Sequence, residues 1–270
     1  MPPRPALPYK PAVPTIHPSA IVSPEAELAE DVSVGPFSVI EGPVKIAAGV
    51  KIGGHAWISG RTSIGEGCNI GWGAIIGADP QDLSFDPSCT SGVVIGPRNT
   101  LREYVTVHRG SKSGHDTVMG EGNFLMTGAH LAHDVKLGDG NILANNVLLA
   151  GHVTVGNKAF LGGAVGVHQF VRIGDLAMVQ GLTAVSQDMP PYCMAYGINT
   201  VAGLNSVGLK RAGFSIEERT AIKRAYQLLF KSGKRREDAL EEAAQTEWPT
   251  VAMKLIEAIK SPSKKGVMSP

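Results

Sequence analysis

The chain has 270 residues, with 33 Gly and 18 Pro, and although 43% are hydrophobic only 6% are aromatic. Glycine far below one third excludes collagen, and 18% charged residues at a formal net charge of +1 exclude a disordered polyelectrolyte. No apolar run approaches the ~18 residues of a membrane span, so no integral membrane segment is expected, and no nucleic-acid partner either.

The first fourteen residues, MPPRPALPYKPAVP, lack the apolar core of a signal peptide and read as a Pro-rich, disordered lead-in (1–14). From there a period of six takes over. Aliphatic residues fall at Ile16, Val22, Leu28, Val34, Ile40, Ile46, Ile52, Ile58, Ile64, Ile70 and Ile76, and the residue four later is nearly always small or β-branched. The frame returns at Ile95, Leu101 and Val107, then runs unbroken from Met119 through Leu131, Leu149 and Val167 to Val185. A helix repeats at 3.6 and a simple strand at 2, so neither explains a sustained six. Three short strands around a triangular coil do: each turn takes eighteen residues, the aliphatics point inward, and Gly-rich segments turn the corners. A narrow prism also accounts for the scarcity of rings. The fold expected is mainly β, a parallel β-helix over 15–188 followed by a C-terminal α-helical domain over 189–270.

Two polar stretches, residues 78–93 and 110–118, interrupt the frame and read as loops thrown out from corners, hence as walls of a site. After Val185, Pro190 and Pro191 stop the repeat. Ser215 to Glu218 has capping-box spacing, and Ile222, Ala225, Tyr226, Leu229 and Phe230 form an apolar helical stripe ended by Gly233. A second helix starts near Glu237 and breaks at Trp248–Pro249, and a third runs from Thr250 to Lys260. Residues 205–265 hold 13 Lys/Arg against 8 Asp/Glu, a basic cap on a slightly acidic prism. Cys68, Cys89 and Cys193 are odd in number and far apart, which gives no disulfide signature and suits a reducing, cytoplasmic setting.

In a coil of eighteen, residues eighteen apart are vertical neighbours. His133 therefore lies under Gly151 and Asp134 under His152, with His168 on the next coil and His130 just before them; His108 is the remaining histidine of interest. A histidine near neutrality can take a proton from a hydroxyl or amine, a carboxylate can fix its tautomer, and Gly151 could offer an unhindered N–H to an oxyanion. No nucleophile stands out, and Cys68 falls at an inward position, so direct transfer fits better than an acyl-enzyme. Zinc is the rival reading of a three-histidine β-helix. His130 and His133, three apart on a strand, face differently, so base catalysis is favoured and no metal is expected.

The segments GAHLAHD (128–134), ILANNVLLAGHVTV (142–155), AVGVHQF (164–170), SQDMPPY (186–192) and GLKRAGFS (208–215) resemble the UDP-N-acetylglucosamine O-acyltransferase family, which opens lipid A synthesis. The likeness covers roughly residues 14–235. The related N-acyltransferases carry an extra N-terminal domain, for which the residues before Thr15 leave no room. The resemblance implies a homotrimer of left-handed β-helices with sites between subunits. It implies transfer of an (R)-3-hydroxyacyl chain from acyl carrier protein to the glucosamine 3-OH of UDP-N-acetylglucosamine, with no bound cofactor, since the carrier brings its own phosphopantetheine. By residue-for-residue match, His133 is the general base, Asp134 its orienting group and Gly151 the oxyanion donor. Gln81, Asp82, His130, His152, His168, Gln169, Asn205 and Arg211 match nucleotide-sugar contacts. Lys210, Arg211, Lys223 and Arg224 are candidates for docking the acidic carrier. Gly181 matches the family's chain-length ruler and stacks on Gly163, which implies a long acyl group of around twelve to fourteen carbons. Ala212 departs from the pattern, where relatives often place a second arginine. The alternatives are a coenzyme A-dependent hexapeptide acetyltransferase, a 3-amino UDP-sugar acceptor and a non-catalytic scaffold.

Overall fold

The computed structural model describes residues 14–270, so all but the last residue of the expected lead-in lies outside the described residues. From Thr15–Ile16 to Ala184–Val185 the chain forms 26 short strands that sort into three parallel sheets, one per side of the prism. Each strand pairs with the one a coil later, so Leu131 aligns with Leu149, Leu149 with Val167 and Val167 with Val185. The hexad aliphatics are the core: Ile58, Ile76, Val107, Leu131 and Leu149 are all 0% exposed.

The register jumps twice, pairing Ile64 with Ile95 and then Ile95 with Met119. Both loops leave the same corner on successive coils, and both are tighter than the composition implies. Strands Ile75–Ala78, Gly92–Ile95 and Asp116–Met119 claim Ala78, Gly92, Val93 and residues 116–118. Polarity misleads most at Thr117, which is 0% exposed because its hydroxyl accepts a backbone N–H from the next coil, at Asp134.

Glycine turns fewer corners than its abundance implies. Among the described residues, fourteen non-glycine residues have positive φ, including Asp134 (60°), His152 (60°) and Phe170 (67°), stacked in one corner column. Many glycines instead permit close stacking of coils: a Cβ on Gly65 would sit 2.6 Å from the Gly96 carbonyl carbon.

Inside the prism Asn99, Asn123 and Asn141 form a buried ladder. The Asn99 Oδ1 accepts the Asn123 N–H at 2.8 Å, Asn123 Oδ1 accepts the Asn141 N–H at 2.8 Å, and Asn141 Oδ1 accepts the Ala159 N–H at 2.8 Å. Asn123→Ala strands the buried Asn141 N–H, and is expected to cost about 1–3 kcal/mol, read as a lower denaturant midpoint at unchanged slope.

Pro190 and Pro191 do not end the sheet. Cys193–Tyr196 adds in parallel to Met178–Val179, and Thr200–Leu204 returns antiparallel to it. The helical region therefore begins at Ser206 rather than at residue 189, because Cys193 and Ala195 alternate inward over one more strand. It comprises α1 (Ser206–Arg211), α2 (Ile216–Lys231), α3 (Arg236–Ala244) and α4 (Thr250–Lys260). The Ser215–Glu218 capping box starts α2, whose buried Ile222, Ala225 and Tyr226 belong to the same core cluster as Leu255 and Ile259 of α4. The chain's end then returns to the prism: Val267 bridges to Asp188, Ser269 to Thr200, and Met268 is 0% exposed.

Candidate functional site

The corner that throws out both loops carries the chemistry. His133 Nδ1 lies 2.8 Å from Asp134 Oδ2, and the same carboxylate oxygen accepts the Ser111 N–H at 3.0 Å. The αL backbone at Asp134 directs this acid back toward its own neighbour, and Thr117 Oγ1 fixes the turn by accepting the Asp134 N–H at 2.9 Å. Burial alone would raise the Asp134 pKa, but hydrogen bonds from Ser111 and His133 outweigh it and hold the carboxyl below its ordinary value. An ionised acid on Nδ1 leaves Nε2 of a neutral His133 free to accept a proton.

Gly151 sits directly over that ring. A Cβ there would lie 2.5 Å from His133 Cε1 and 2.6 Å from Nε2, so no other residue fits above the imidazole as it stands. Among the described residues the Gly151 N–H donates to no backbone carbonyl. His152, the next residue, lies 3.7 Å through Nε2 from Asp134 Oδ2, edge-on to His133 at 5.1 Å between centroids, and stacks on Phe170 at 4.6 Å and 5°. Burial first, and then the charge of His133, push the His152 pKa down against the pull of Asp134.

A groove of about 890 Å³ opens on one side of this corner, lined by His130, His133, Gly151, His168, Gln169 and Gln81 together with Thr106 and His108. His130 Nδ1 meets Thr106 Oγ1 at 2.7 Å, and burial, then His108, push its pKa down to about 4. It is thus a neutral hydrogen-bonding group at pH 7, suited to uncharged hydroxyls. Asp82 lies on the loop beside Gln81, fully exposed, with Oδ1 accepting from the Ser84 N–H and hydroxyl. Asn205 and Arg211 are not brought to this groove of the same chain. Asn205 caps α1, accepting the Gly208 N–H at 2.9 Å and donating to the Leu176 carbonyl at 2.9 Å, while Arg211 is exposed in the last turn. Ala212 closes α1 half-buried against the core. Gly181 lines a separate apolar pocket with Phe160, Met178 and Tyr196.

Two of the three thiols are buried away from the groove. Cys68 is buried in the prism with its pKa raised by burial, and burial pushes Cys193 up to about 12. Donor atoms of His133, Asp134 and His152 lie within 4.8 Å of one another, a grouping that leaves out His130.

Sequence reasoning missed Thr106, Ser111, Thr117 and Phe170. Phe170 had a signal, standing eighteen residues after His152 in the corner column. Also missed was Arg109, which fastens the first loop: it donates to Asp79 Oδ1 and the Cys89 carbonyl, each at 2.8 Å, and to the Pro87 carbonyl at 3.1 Å, and lies 4.8 Å over Phe85. Arg109→Ala should loosen the loop bearing Gln81. The expected result is a rise of about tenfold in the KM for the sugar acceptor with a smaller change in kcat, together with faster proteolysis within 79–91.

A profile described as Udp N-acetylglucosamine O-acyltransferase, domain 2, matches residues 188–268, and one for the bacterial transferase hexapeptide of six repeats matches residues 116–151. The acyl-[acyl-carrier-protein]–UDP-N-acetylglucosamine O-acyltransferase of Thermodesulfovibrio yellowstonii is 44% identical over 256 residues, covering 93% of this chain and 98% of that protein. Its counterpart from Polynucleobacter asymbioticus is 56% identical over 229 residues, 84% and 86% of the two chains. The solved UDP-N-acetylglucosamine acyltransferase of Francisella novicida superposes with a TM-score of 0.90 at 36% identity, over 95% of this chain and 94% of that one. With this left-handed prism and this length of shared sequence, the chain belongs to the UDP-N-acetylglucosamine O-acyltransferase family, and it is an acyltransferase.

Proposed function

We propose that the protein transfers an (R)-3-hydroxyacyl chain from acyl carrier protein to the glucosamine 3-OH of UDP-N-acetylglucosamine, the opening reaction of lipid A synthesis, by direct attack. The observation that carries this reading is the His133–Asp134 pair at 2.8 Å beneath a Cβ-free Gly151. His133 Nε2 takes the proton of the sugar hydroxyl as its oxygen attacks the thioester carbon. The Gly151 N–H stabilises the tetrahedral oxyanion, and collapse expels the phosphopantetheine thiolate, which recovers the proton from His133. Asp134 holds the tautomer and steadies the imidazolium. Gln81, Asp82, His130, His152, His168 and Gln169 are the proposed nucleotide-sugar contacts.

The same reading includes a homotrimer. Two sides of the prism present apolar residues outward, with Leu148 50%, Met178 39%, Ile142 37% and Phe160 37% exposed, while the third shows Lys45, Lys136 and Arg172. Packing one apolar side on another would wall the histidine groove with a neighbour, and would allow Asn205 and Arg211 to serve a site other than their own chain's. Lys210, Arg211, Lys223 and Arg224 are all exposed on α1 and α2, a basic surface suited to an acidic carrier.

The test is an assay with UDP-N-acetylglucosamine and 3-hydroxyacyl carrier protein, run beside acetyl-coenzyme A and beside a 3-amino UDP-sugar. The 3-O-acylated product is expected from the carrier substrate. Turnover with acetyl-coenzyme A alone, or with the amino sugar alone, would overturn the assignment. For the acyl group, Gly181 lines the apolar pocket, and a Cβ there would approach the Gly163 carbonyl oxygen to 3.0 Å, so a side chain at this position takes up room beside that pocket. Gly181→Met is therefore expected to move preference toward shorter chains, read from competing carrier substrates; an unchanged length profile would refute the ruler role.

A further inference from the structure

Beyond α4 the chain turns back to the prism and passes beside the catalytic corner. Three contacts hold it there: Arg172 donates to the Pro262 carbonyl at 2.9 Å, the Asp188 N–H to the Gly266 carbonyl at 2.8 Å, and the Met268 N–H to the Asp188 carbonyl at 2.9 Å. Val267 and Met268 are buried. Between these anchors stand Lys264 and Lys265, whose ammonium groups lie 5.3 and 6.0 Å from the centroid of the Phe170 ring. His152 stacks on that same ring at 4.6 Å. The column above Asp134 therefore runs His152, Phe170 and then two cations.

Neither charge is matched within the chain. Among the described residues the lysines paired with acids are Lys45, Lys234 and Lys254. Asp188, the acid at the tail's bridge, is taken by Arg172, which donates to Oδ1 through its backbone N–H and to Oδ2 through Nε, each at 2.8 Å. The Phe170 ring offsets part of the repulsion between the two ammonium groups, but a ring is a weaker partner than an anion. Two cations side by side on an anchored backbone, with Lys265 half-buried, suit an anion of several oxygens such as a phosphate.

Both substrates of the proposed reaction carry phosphate, and position separates them. From Asp134 to Phe170 is two coils, about 10 Å at 4.7–4.9 Å per strand spacing. A single ring separates the sugar's 3-OH from its own diphosphate, which is short of that height, whereas a whole pantetheine chain separates the donor's thioester from its phosphate. The apolar pocket at Gly181 and the basic surface of α1 and α2 also lie on the C-terminal side of His133, as the tail does, while Gln81 reaches the groove from the N-terminal side.

We propose that Lys264 and Lys265 bind the phosphodiester of the donor's phosphopantetheine arm while its thioester lies at His133. The assignment rests on the carrier-dependent transfer proposed above.

The test uses the full-length chain and two small donors, 3-hydroxyacyl phosphopantetheine and 3-hydroxyacyl pantetheine, which differ in the phosphate alone. Binding is measured by calorimetry without the acceptor sugar, and transfer is measured with it. The phosphorylated donor is expected to bind about tenfold or more tightly than the other. The double variant Lys264→Gln/Lys265→Gln should lose that preference and raise the KM for acyl carrier protein by a similar factor, with kcat and the KM for UDP-N-acetylglucosamine unchanged. Lys264→Arg/Lys265→Arg should keep the preference, and both variants should keep the unfolding midpoint, because the tail is held by backbone contacts and by Met268. A preference that survives in the glutamine variant, an equal loss in the arginine variant, or a KM rise confined to UDP-N-acetylglucosamine would overturn the proposal. A chain that binds the phosphorylated donor through these lysines yet forms no 3-O-acyl product would refute the functional reading and leave the phosphate site standing.

Discussion

Replacing His133 with alanine is expected to lower kcat by about 10²- to 10⁴-fold with little change in the affinity for UDP-N-acetylglucosamine. The ring is held from two sides: its Nδ1 by Asp134 at 2.8 Å, and its upper face by the backbone of Gly151. Only Nε2 is left to exchange protons with a substrate. Asp134→Asn keeps the shape but turns the carboxylate into an amide that can donate to Nδ1, favouring the wrong tautomer, so it should lose a large part of the same factor. Added imidazole should partly restore His133→Ala, because the truncation leaves a ring-sized space beneath a glycine. A His133→Ala protein with full activity would remove the base assignment.

The second large effect is expected from Gly151→Ala. One methyl is the smallest possible insult, yet here it would enter the imidazole at 2.5 Å from Cε1. The φ of Gly151 lies outside the left-handed region, so backbone strain does not compound the change. Relief comes only if His133 swings away, breaking its alignment with Asp134, or if the corner shifts and carries the Gly151 N–H off the oxyanion position. Removing one oxyanion donor costs about 10²- to 10³-fold in kcat, and disturbing the base adds to this. Steady-state kinetics with a check of the unfolding midpoint separate the cases: kcat is expected to fall at least about 10²-fold while most stability is kept. A kcat within about threefold of wild type would show that the methyl is accommodated and that the stacking is not critical.

Much of the site is legible in the sequence because a β-helix turns sequence separation into height. Once the period of six was found, His133 under Gly151 and Asp134 under His152 followed from counting, and the structure has both contacts. What escaped lies where that arithmetic fails. The loops break the count, so neither the Ser111 N–H on Asp134 nor the Arg109 clamp on the 79–91 loop has a register to be read from. The Asn99–Asn123–Asn141 ladder escaped because Asn reads as a surface residue, whereas inside the prism its amide takes over backbone pairing. The hairpin at Cys193–Leu204 was hidden by the two prolines before it, which end the hexads but not the sheet. The last residues gave no periodic signal, yet they return to the catalytic column, where Lys264 lies 5.3 Å from the Phe170 ring.

The central claim is that this corner moves an acyl group in one step, without a covalent intermediate on the protein. The most direct measurement is a single turnover with excess enzyme and labelled 3-hydroxyacyl carrier protein, quenched on the millisecond scale and read by intact-protein mass and by the label on the sugar. The label is expected to pass straight from carrier to UDP-N-acetylglucosamine, with none on the chain at any time, and to remain on the carrier in His133→Ala. Acyl label accumulating on the chain before product appears, or transfer at an undiminished rate in His133→Ala, would contradict the account.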